Sequence, residues 1–337
     1  MFKFFRIFLT AVVLLGIFYL EKPADTIENM ASSRASAVVV VEHYPYGVNS
    51  YNVVEIGSGF FIEDNLIITA AHVIGNAKKI QIRGITNPKM YDIEVVGIDK
   101  FSDIALIKIK NINDFKRTNS YTILKFDSSS TLRLGSKVWS IGHPWDLEWT
   151  VTEGIVSSKS RRIDGTVNFL IQTDTKIYQG SSGGPLLNSR GNVVGINDKI
   201  IVQQGGSFGF AIPSDLVIKV VHDLTNSEYV KWSVLGVTLD RTADDKYLEI
   251  KSVIKESAAE KSGFKPHDIL LNIHTSHTGQ MGQEIRDLNQ FMDEMAVVVP
   301  GETVTISIMR DNVQLTIDVI PDVKSSDTMA IIGGSIN

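Results

Sequence analysis

Tyr178-Gln179-Gly180-Ser181-Ser182-Gly183-Gly184-Pro185 decides how this chain is read. Glycines on both sides of a serine pair open backbone conformations closed to other residues, so a tight turn here can aim several amide N–H groups at one point. Such a turn can present a serine hydroxyl and also stabilise an oxyanion formed next to it. A serine is a poor nucleophile near neutral pH unless an imidazole removes its proton. The imidazole in turn needs a carboxylate to hold its tautomer. Upstream, Thr69-Ala70-Ala71-His72 and Ser102-Asp103-Ile104-Ala105-Leu106 supply both, in the order His, Asp, Ser. Alone, the serine segment would be a polar turn, His72 a structural side chain and Asp103 a turn residue. Together they predict His72 as base, Asp103 as its orienting acid and Ser182 as nucleophile.

The flanking pattern is that of strands. Gly57–Ile62 and Leu66–Ala71 read as a hairpin around Glu63–Asn65, and Ile104–Ile109 alternates like a half-buried strand. Asp99 is a rival acid, but it lies on the more polar stretch Asp99-Lys100-Phe101. Gly180–Gly184 also satisfies G-x-S-x-G, the nucleophile elbow of α/β-hydrolases, which requires a helix after the serine. Here Pro185-Leu186-Leu187, a turn at Asn188–Asn192 and the run Val193–Ile196 form another hairpin, so the elbow reading fails. The oxyanion hole is expected from the backbone of Gly180, Ser181 and Ser182, with the amides of Gly180 and Ser182 pointing inward.

From about Val38 to Pro321 the chain resembles the HtrA/Deg family of serine proteases. The likeness rests on the three segments above and on Gly57-Ser58-Gly59-Phe60, Ser140-Ile141-Gly142-His143-Pro144, Thr150–Ser157, Gln172-Thr173-Asp174, Gly195-Ile196-Asn197 and Gly209-Phe210-Ala211-Ile212-Pro213. It implies a mainly β chain: a chymotrypsin/trypsin-like double β-barrel, then an α+β PDZ domain. It places Ile177 and Ile200 on a shallow apolar specificity pocket and Arg161 in a loop that relays activation. Arg161 reads equally well as part of a solvated basic turn. Ser181, His143 and Tyr178 stand where the family has asparagine; His143 reads as a loop residue, and Tyr178 as a change in the cleft.

Ser214–His222 reads as a short amphipathic helix with Ser214 as N-cap. After it come strands near Leu235–Leu239 and Leu248–Val253, a turn of helix at Ala258-Ala259-Glu260-Lys261, a strand Asp268–Ile273, a helix Gln283–Met295 and a strand Thr303–Ile308. This resembles one PDZ domain, with Val234-Leu235-Gly236-Val237 as its carboxylate-binding loop and His267 where glycine is usual. Such domains take an extended C-terminal peptide as an added strand.

The first residues, Met1-Phe2-Lys3-Phe4-Phe5-Arg6 followed by an uncharged run to Leu20, mark a signal anchor or a signal peptide. Either sends the chain out of the cytoplasm. The expected layout is an anchor or signal over 1–24, a linker over 25–37, a protease domain over 38–225, a PDZ domain over 230–322 and a flexible tail over 323–337. One anchor, one protease and one PDZ domain resembles the DegS-like members. That implies a bacterial inner-membrane homotrimer facing the periplasm and regulated by C-terminal peptides. A soluble periplasmic enzyme after signal cleavage, a broad quality-control protease, a peptide-binding scaffold and a mitochondrial intermembrane-space location remain alternatives. The chain has no cysteine, so neither disulfides nor thiolate metal sites enter. His274 and His277 read as solvated loop residues, and neither a metal nor another cofactor is expected. A net charge of -5 without an internal basic tract gives no reason to expect a nucleic-acid partner.

Overall fold

The structure is a computed structural model that describes residues 37–45, 51–75, 79–144, 147, 149–161, 163, 170–203, 206–227, 229–276, 278 and 282–325. The expected anchor or signal and most of the linker lie outside these residues, as does His277. Among the described residues, no helix is long and apolar enough to cross a membrane.

Two closed six-stranded barrels carry the first part of the chain, as expected. The first joins β1 (Ala37–Pro45), β2 (Tyr51–Glu63), β3 (Leu66–Ala70), β6 (Ile104–Ile109), β5 (Tyr91–Asp99) and β4 (Lys79–Arg83). The second joins β10 (Pro185–Leu187), β11 (Val193–Gln203), β12 (Gly206–Pro213), β9 (Leu170–Thr173), β8 (Thr150–Arg161) and β7 (Lys137–Gly142). The hairpin at Glu63–Asn65 forms with Phe60 opposite Ile68, and the hairpin after Ser182 with Leu186 opposite Gly195.

One expectation fails instructively. Ile104–Ile109 is not half-buried: Ile104, Ala105, Leu106 and Ile107 are all at 0% exposure. Successive side chains point to opposite faces of a strand, and here both faces have a core. Phe61, Ile67, Ala105 and Ile107 fill the first barrel, whereas Phe60, Ile68, Ile104 and Leu106 join Trp139, Ile141 and Leu187 of the second. The barrels therefore share an apolar interface, and the expected cleft runs along its rim.

Helix α1 (Ala71–Ile74) follows β3 directly, so His72 sits on a single helical turn where a tight turn was expected. Helix α2 (Ile112–Thr118) follows β6, and α3 (Ser214–Asn226) follows β12. Ser214 is the first residue of α3 rather than its N-cap, and its hydroxyl donates to the Asp127 carbonyl at 2.6 Å. Leu216, Val217, Val220 and Leu224 lay α3 on the shared core. Near its C-terminus the Asp223 carboxylate accepts the Lys231 amide at 3.1 Å. Trp232 packs on Phe101 of the first barrel at 4.8 Å between ring centroids. The chain therefore enters the second domain tied to the first.

That domain is a sheet in the order β14 (Val237–Arg241), β15 (Leu248–Val253), β16 (Ile269–His274), β18 (Val304–Arg310), β19 (Val313–Val319), with β17 (Gln283–Glu284) beside β16. The strand expected over Leu235–Leu239 is interrupted: β13 (Lys231–Val234) ends before Leu235, and β14 starts after Gly236. The helix expected from Gln283 begins later, as α5 (Leu288–Val297), because Gln283 and Glu284 pair with Ile273 and Asn272. Asp287 caps it by accepting the Gln290 amide at 3.0 Å. The expected tail does not begin at 323, since β20 (Asp322–Ser325) pairs with β13. Helix α4 (Ala258–Lys261) forms as read, capped by Ser257. His267 has φ +72°, which explains why glycine suits that turn.

Candidate active site

The acid and base meet where β6 begins. Asp103 has φ +59°, a left-handed conformation that aspartate tolerates better than most residues. Its backbone carbonyl accepts the Ala71 amide at 2.9 Å, Oδ1 accepts the His72 amide at 2.8 Å, and Oδ2 meets His72 Nδ1 at 2.5 Å. Three bonds thus fix α1 against Asp103 and leave the opposite ring nitrogen of His72 to serve as a base. The side chains are more open than expected, at 44% exposure for His72 and 20% for Asp103, because the pair lies on the rim of the interface. Asp99, the rival acid, is fully buried rather than on a polar surface loop; its Oδ2 accepts the amide and hydroxyl of Ser102. It holds the turn that presents Asp103.

The serine loop is clamped from both barrels. Gly183 has φ +84°, and a Cβ there would lie 2.1 Å from the Ser58 carbonyl oxygen. Its amide donates to Asn197 at 2.7 Å, while the Ser58 amide donates to the Ser182 carbonyl at 2.8 Å. The Ser58 hydroxyl donates to the Gly180 carbonyl at 2.7 Å. The Ser181 amide closes a turn onto Tyr178 at 2.9 Å, so of the three expected oxyanion residues it is the one whose N–H is used up. The amides of Gly180 and Ser182 have no acceptor among the described residues.

Ser182 itself is turned away from the base: its hydroxyl donates to the Asp198 backbone carbonyl at 2.9 Å, not to His72. Asp198 was not anticipated from the sequence. Its side chain is 2% exposed and lies with Oδ1 3.9 Å from His72 Nδ1. Burial, then the charge of Asp103, push its carboxyl up to about 7. For His72, burial alone would lower the pKa. The hydrogen bond and charge of Asp103, helped by Asp198, outweigh it, and the imidazole titrates above the ordinary histidine value. For Asp103, burial works upward but the bonds and charge of His72 win, so it stays below the usual carboxylate range.

Ile177 is 2% exposed, and a Cβ on Gly209 would lie 2.8 Å from its Cδ1. Ile200 pairs with that same Gly209, so the two isoleucines come together around one glycine. Arg161 ends β8 with its Nε on Gln172 Oε1 at 3.1 Å. His143 lies in the loop after β7, as read, but it is fully buried, accepts the Trp149 amide at 3.0 Å and packs edge-on against that indole. Within Val234-Leu235-Gly236-Val237, Gly236 has φ +86° and would meet Ser257 at 2.3 Å if it carried a Cβ. The Leu235 and Gly236 carbonyls are held by the Ala259 and Ile254 amides, each at 2.9 Å. Their own N–H groups have no acceptor among the described residues, and β14 beyond them is an edge strand. A cavity of about 570 Å³ lies here, with Val234, Gly236 and Phe291 on one side and Ser129, Ser160 and Leu216 of the first domain on the other.

Residues 57–196 match the trypsin-like peptidase domain family and residues 233–320 the PDZ domain family. The probable periplasmic serine endoprotease DegP-like of Chlamydia trachomatis serovar D is 34% identical over 278 residues, covering 78% of this chain and 53% of that protein. The periplasmic pH-dependent serine endoprotease DegQ of Escherichia coli K12 is 31% identical over 290 residues, covering 81% and 60%. The chain thus spans just over half the length of these relatives. The HtrA-type protease AlgW with tripeptide shares the fold at a TM-score of 0.67 and 23% identity, covering 89% of this chain and 97% of that one. Trypsin-like barrels followed by one PDZ domain, together with these relatives, support the HtrA family for this chain.

Proposed function

We propose that this chain is a serine endopeptidase of the cell envelope that cleaves unfolded or exposed segments and is regulated by peptides at its PDZ domain. The observation that carries the reading is the Asp103–His72 hydrogen bond beside a serine loop with two unclaimed amides. Ser182 rotates from the Asp198 carbonyl to His72, which takes its proton as Oγ attacks the scissile carbonyl carbon. The Gly180 and Ser182 amides receive the developing oxyanion. His72 then protonates the leaving amine, giving an acyl-enzyme on Ser182, and water with the same base releases it. Asp103 holds the tautomer and stays ionised. Ile177 and Ile200 form an apolar wall suited to small aliphatic side chains.

The Leu235 and Gly236 amides are placed to receive a peptide carboxylate, with the peptide added along β14. The cavity that would receive it is lined partly by the protease domain. That supports communication between peptide and active site, and the parked Ser182 hydroxyl fits a resting enzyme. The periplasmic names of the relatives support an extracytoplasmic catalytic domain. Anchoring through residues 1–24 and assembly as a trimer are proposed from the sequence resemblance alone.

Cleavage of casein by the chain from Ala31 onward, with and without a peptide ending in hydrophobic residues, tests this beside Ser182→Ala. Cleavage that needs Ser182 and changes with peptide is expected. Peptide-independent cleavage favours the quality-control role, and peptide binding without any cleavage favours a scaffold.

A further inference from the structure

Asp198 is a buried carboxyl for which the proposed chemistry has no use. It lies on β11 immediately after Asn197, whose carbonyl holds Gly183, and its own carbonyl holds the Ser182 hydroxyl. Its Oδ1 is buried without a hydrogen-bond partner. Oxygen atoms of Asp103 and Asp198 and a ring nitrogen of His72 all lie within 4.8 Å of one another. An ionised carboxylate in such a place loses its hydration and faces a like charge. Two carboxyl groups this close are favoured when they share one proton, as coupled acid pairs do.

Resting on the reading of Ser182, His72 and Asp103 as a catalytic centre, we propose that Asp198 is a positioning residue. In its protonated form it shares its proton with Asp103, so the two acids carry one negative charge behind His72. Both Asp103 oxygens already accept from His72, and each retains a lone pair for this bond. No atom is gained or lost in catalysis, and the proton remains between the acids while His72 shuttles the serine proton. When Asp198 ionises, a second negative charge appears beside Nδ1, the imidazolium is favoured, and the free base is regained only at higher pH.

The charged groups facing Asp198 are Asp103 from the β5–β6 turn, His72 from α1 and Lys199 from its own strand. Asp103 opposes its ionisation, whereas Lys199 and His72 favour it. Burial also opposes ionisation and holds the carboxyl at about 7, and its Oδ1 lies 3.9 Å from His72 Nδ1. The two titrations are therefore linked.

The test is the titration of His72 by carbon NMR in the full chain, solubilised in detergent and labelled at its histidines, with His72→Gln assigning the resonance. Asp198→Asn keeps a donor toward Asp103 and removes the titration. The expected result is that His72 in Asp198→Asn titrates at lower pH, in a single step, than in the parent chain. Labelling of Ser182 by a fluorophosphonate should then be faster in the variant between about pH 7 and 8, where Asp198 of the parent has ionised, by up to about threefold, the change that half a pKa unit produces. That advantage should vanish by pH 9. Identical His72 titration curves in the two proteins overturn the proposal. Asp198→Ser, which also offers a donor, must behave like Asp198→Asn, and a parent-like curve in it overturns the proposal equally. Should Ser182 label in none of them while the His72 curves separate as expected, the catalytic reading fails and the acid pair stands.

Discussion

The Ser58 hydroxyl donates to the Gly180 carbonyl at 2.7 Å, and its amide donates to the Ser182 carbonyl at 2.8 Å, so a residue of the first barrel holds the serine loop of the second. Ser58→Ala leaves the Gly180 carbonyl without that donor at a buried interface, a loss of about 1–3 kcal/mol. A lower melting temperature is expected, with kcat/KM reduced about tenfold or more as the Gly180 amide loses its aim. Unchanged kinetics would show that the loop is held from its own barrel alone.

Gly183 admits no side chain. At φ +84°, with the Ser58 carbonyl oxygen 2.1 Å from where a Cβ would sit, Gly183→Ala must move the loop or separate the barrels. The expected loss exceeds about 2 kcal/mol, with fluorophosphonate labelling of Ser182 abolished. Thermal melts and labelling on the same sample check it.

His72 titrates above the ordinary histidine value, and only its neutral form accepts the serine proton. The acid limb of kcat/KM should therefore lie above pH 6.5 and activity should rise through neutral pH. Asp103→Asn removes the largest influence that raises that pKa and should cost about 10⁴-fold in kcat. Stability runs the other way. The folded state keeps the Asp198 proton up to about pH 7, whereas the unfolded chain releases it near 4. This group's contribution is full below about pH 4 and is lost as pH rises toward 7. Asp198→Asn should remove that part of the slope in urea unfolding measured across the same range.

Gly236 has φ +86° and abuts Ser257. Gly236→Ala should weaken binding of a hydrophobic C-terminal peptide at least about tenfold, since the loop can no longer point its amides outward. The Ser182 labelling rate without peptide should persist. Calorimetry with the peptide, beside labelling, separates the two effects.

Asp293 of α5 lies against Ser160 and Lys159 of β8, and burial pushes its carboxyl up to about 8, with Ser160 and Lys159 opposing the rise and Glu294 and Asp287 adding to it. The docked arrangement holds this proton, so contact between α5 and β8 is favoured at low pH and weakens as pH rises toward 8. Hydrogen exchange in α5 should accelerate between pH 6 and 9 beyond its intrinsic pH dependence. Asp293→Asn should abolish the extra acceleration.

The residue types and order of the serine, histidine and aspartate segments, the alternating runs and the glycines were enough to specify barrels, the His72–Asp103 pair and a PDZ-like second domain. Those features are local: a turn needs its glycines, and a strand shows its period within a few residues. What lies between elements far apart in sequence was not legible. Ile104–Ile107 looked half-buried because a period of two cannot tell solvent from a second core. Gln283–Glu284 looked helical until β16 supplied a pairing partner, and Asp322–Ser325 looked like a tail until β13 did. Ser58 and Asp198 carried no signal of their own, since a serine in a glycine-rich strand and an aspartate after an asparagine are ordinary. Only the packing of one barrel on the other brings them to Ser182 and His72, where burial and a neighbouring charge give them their chemistry.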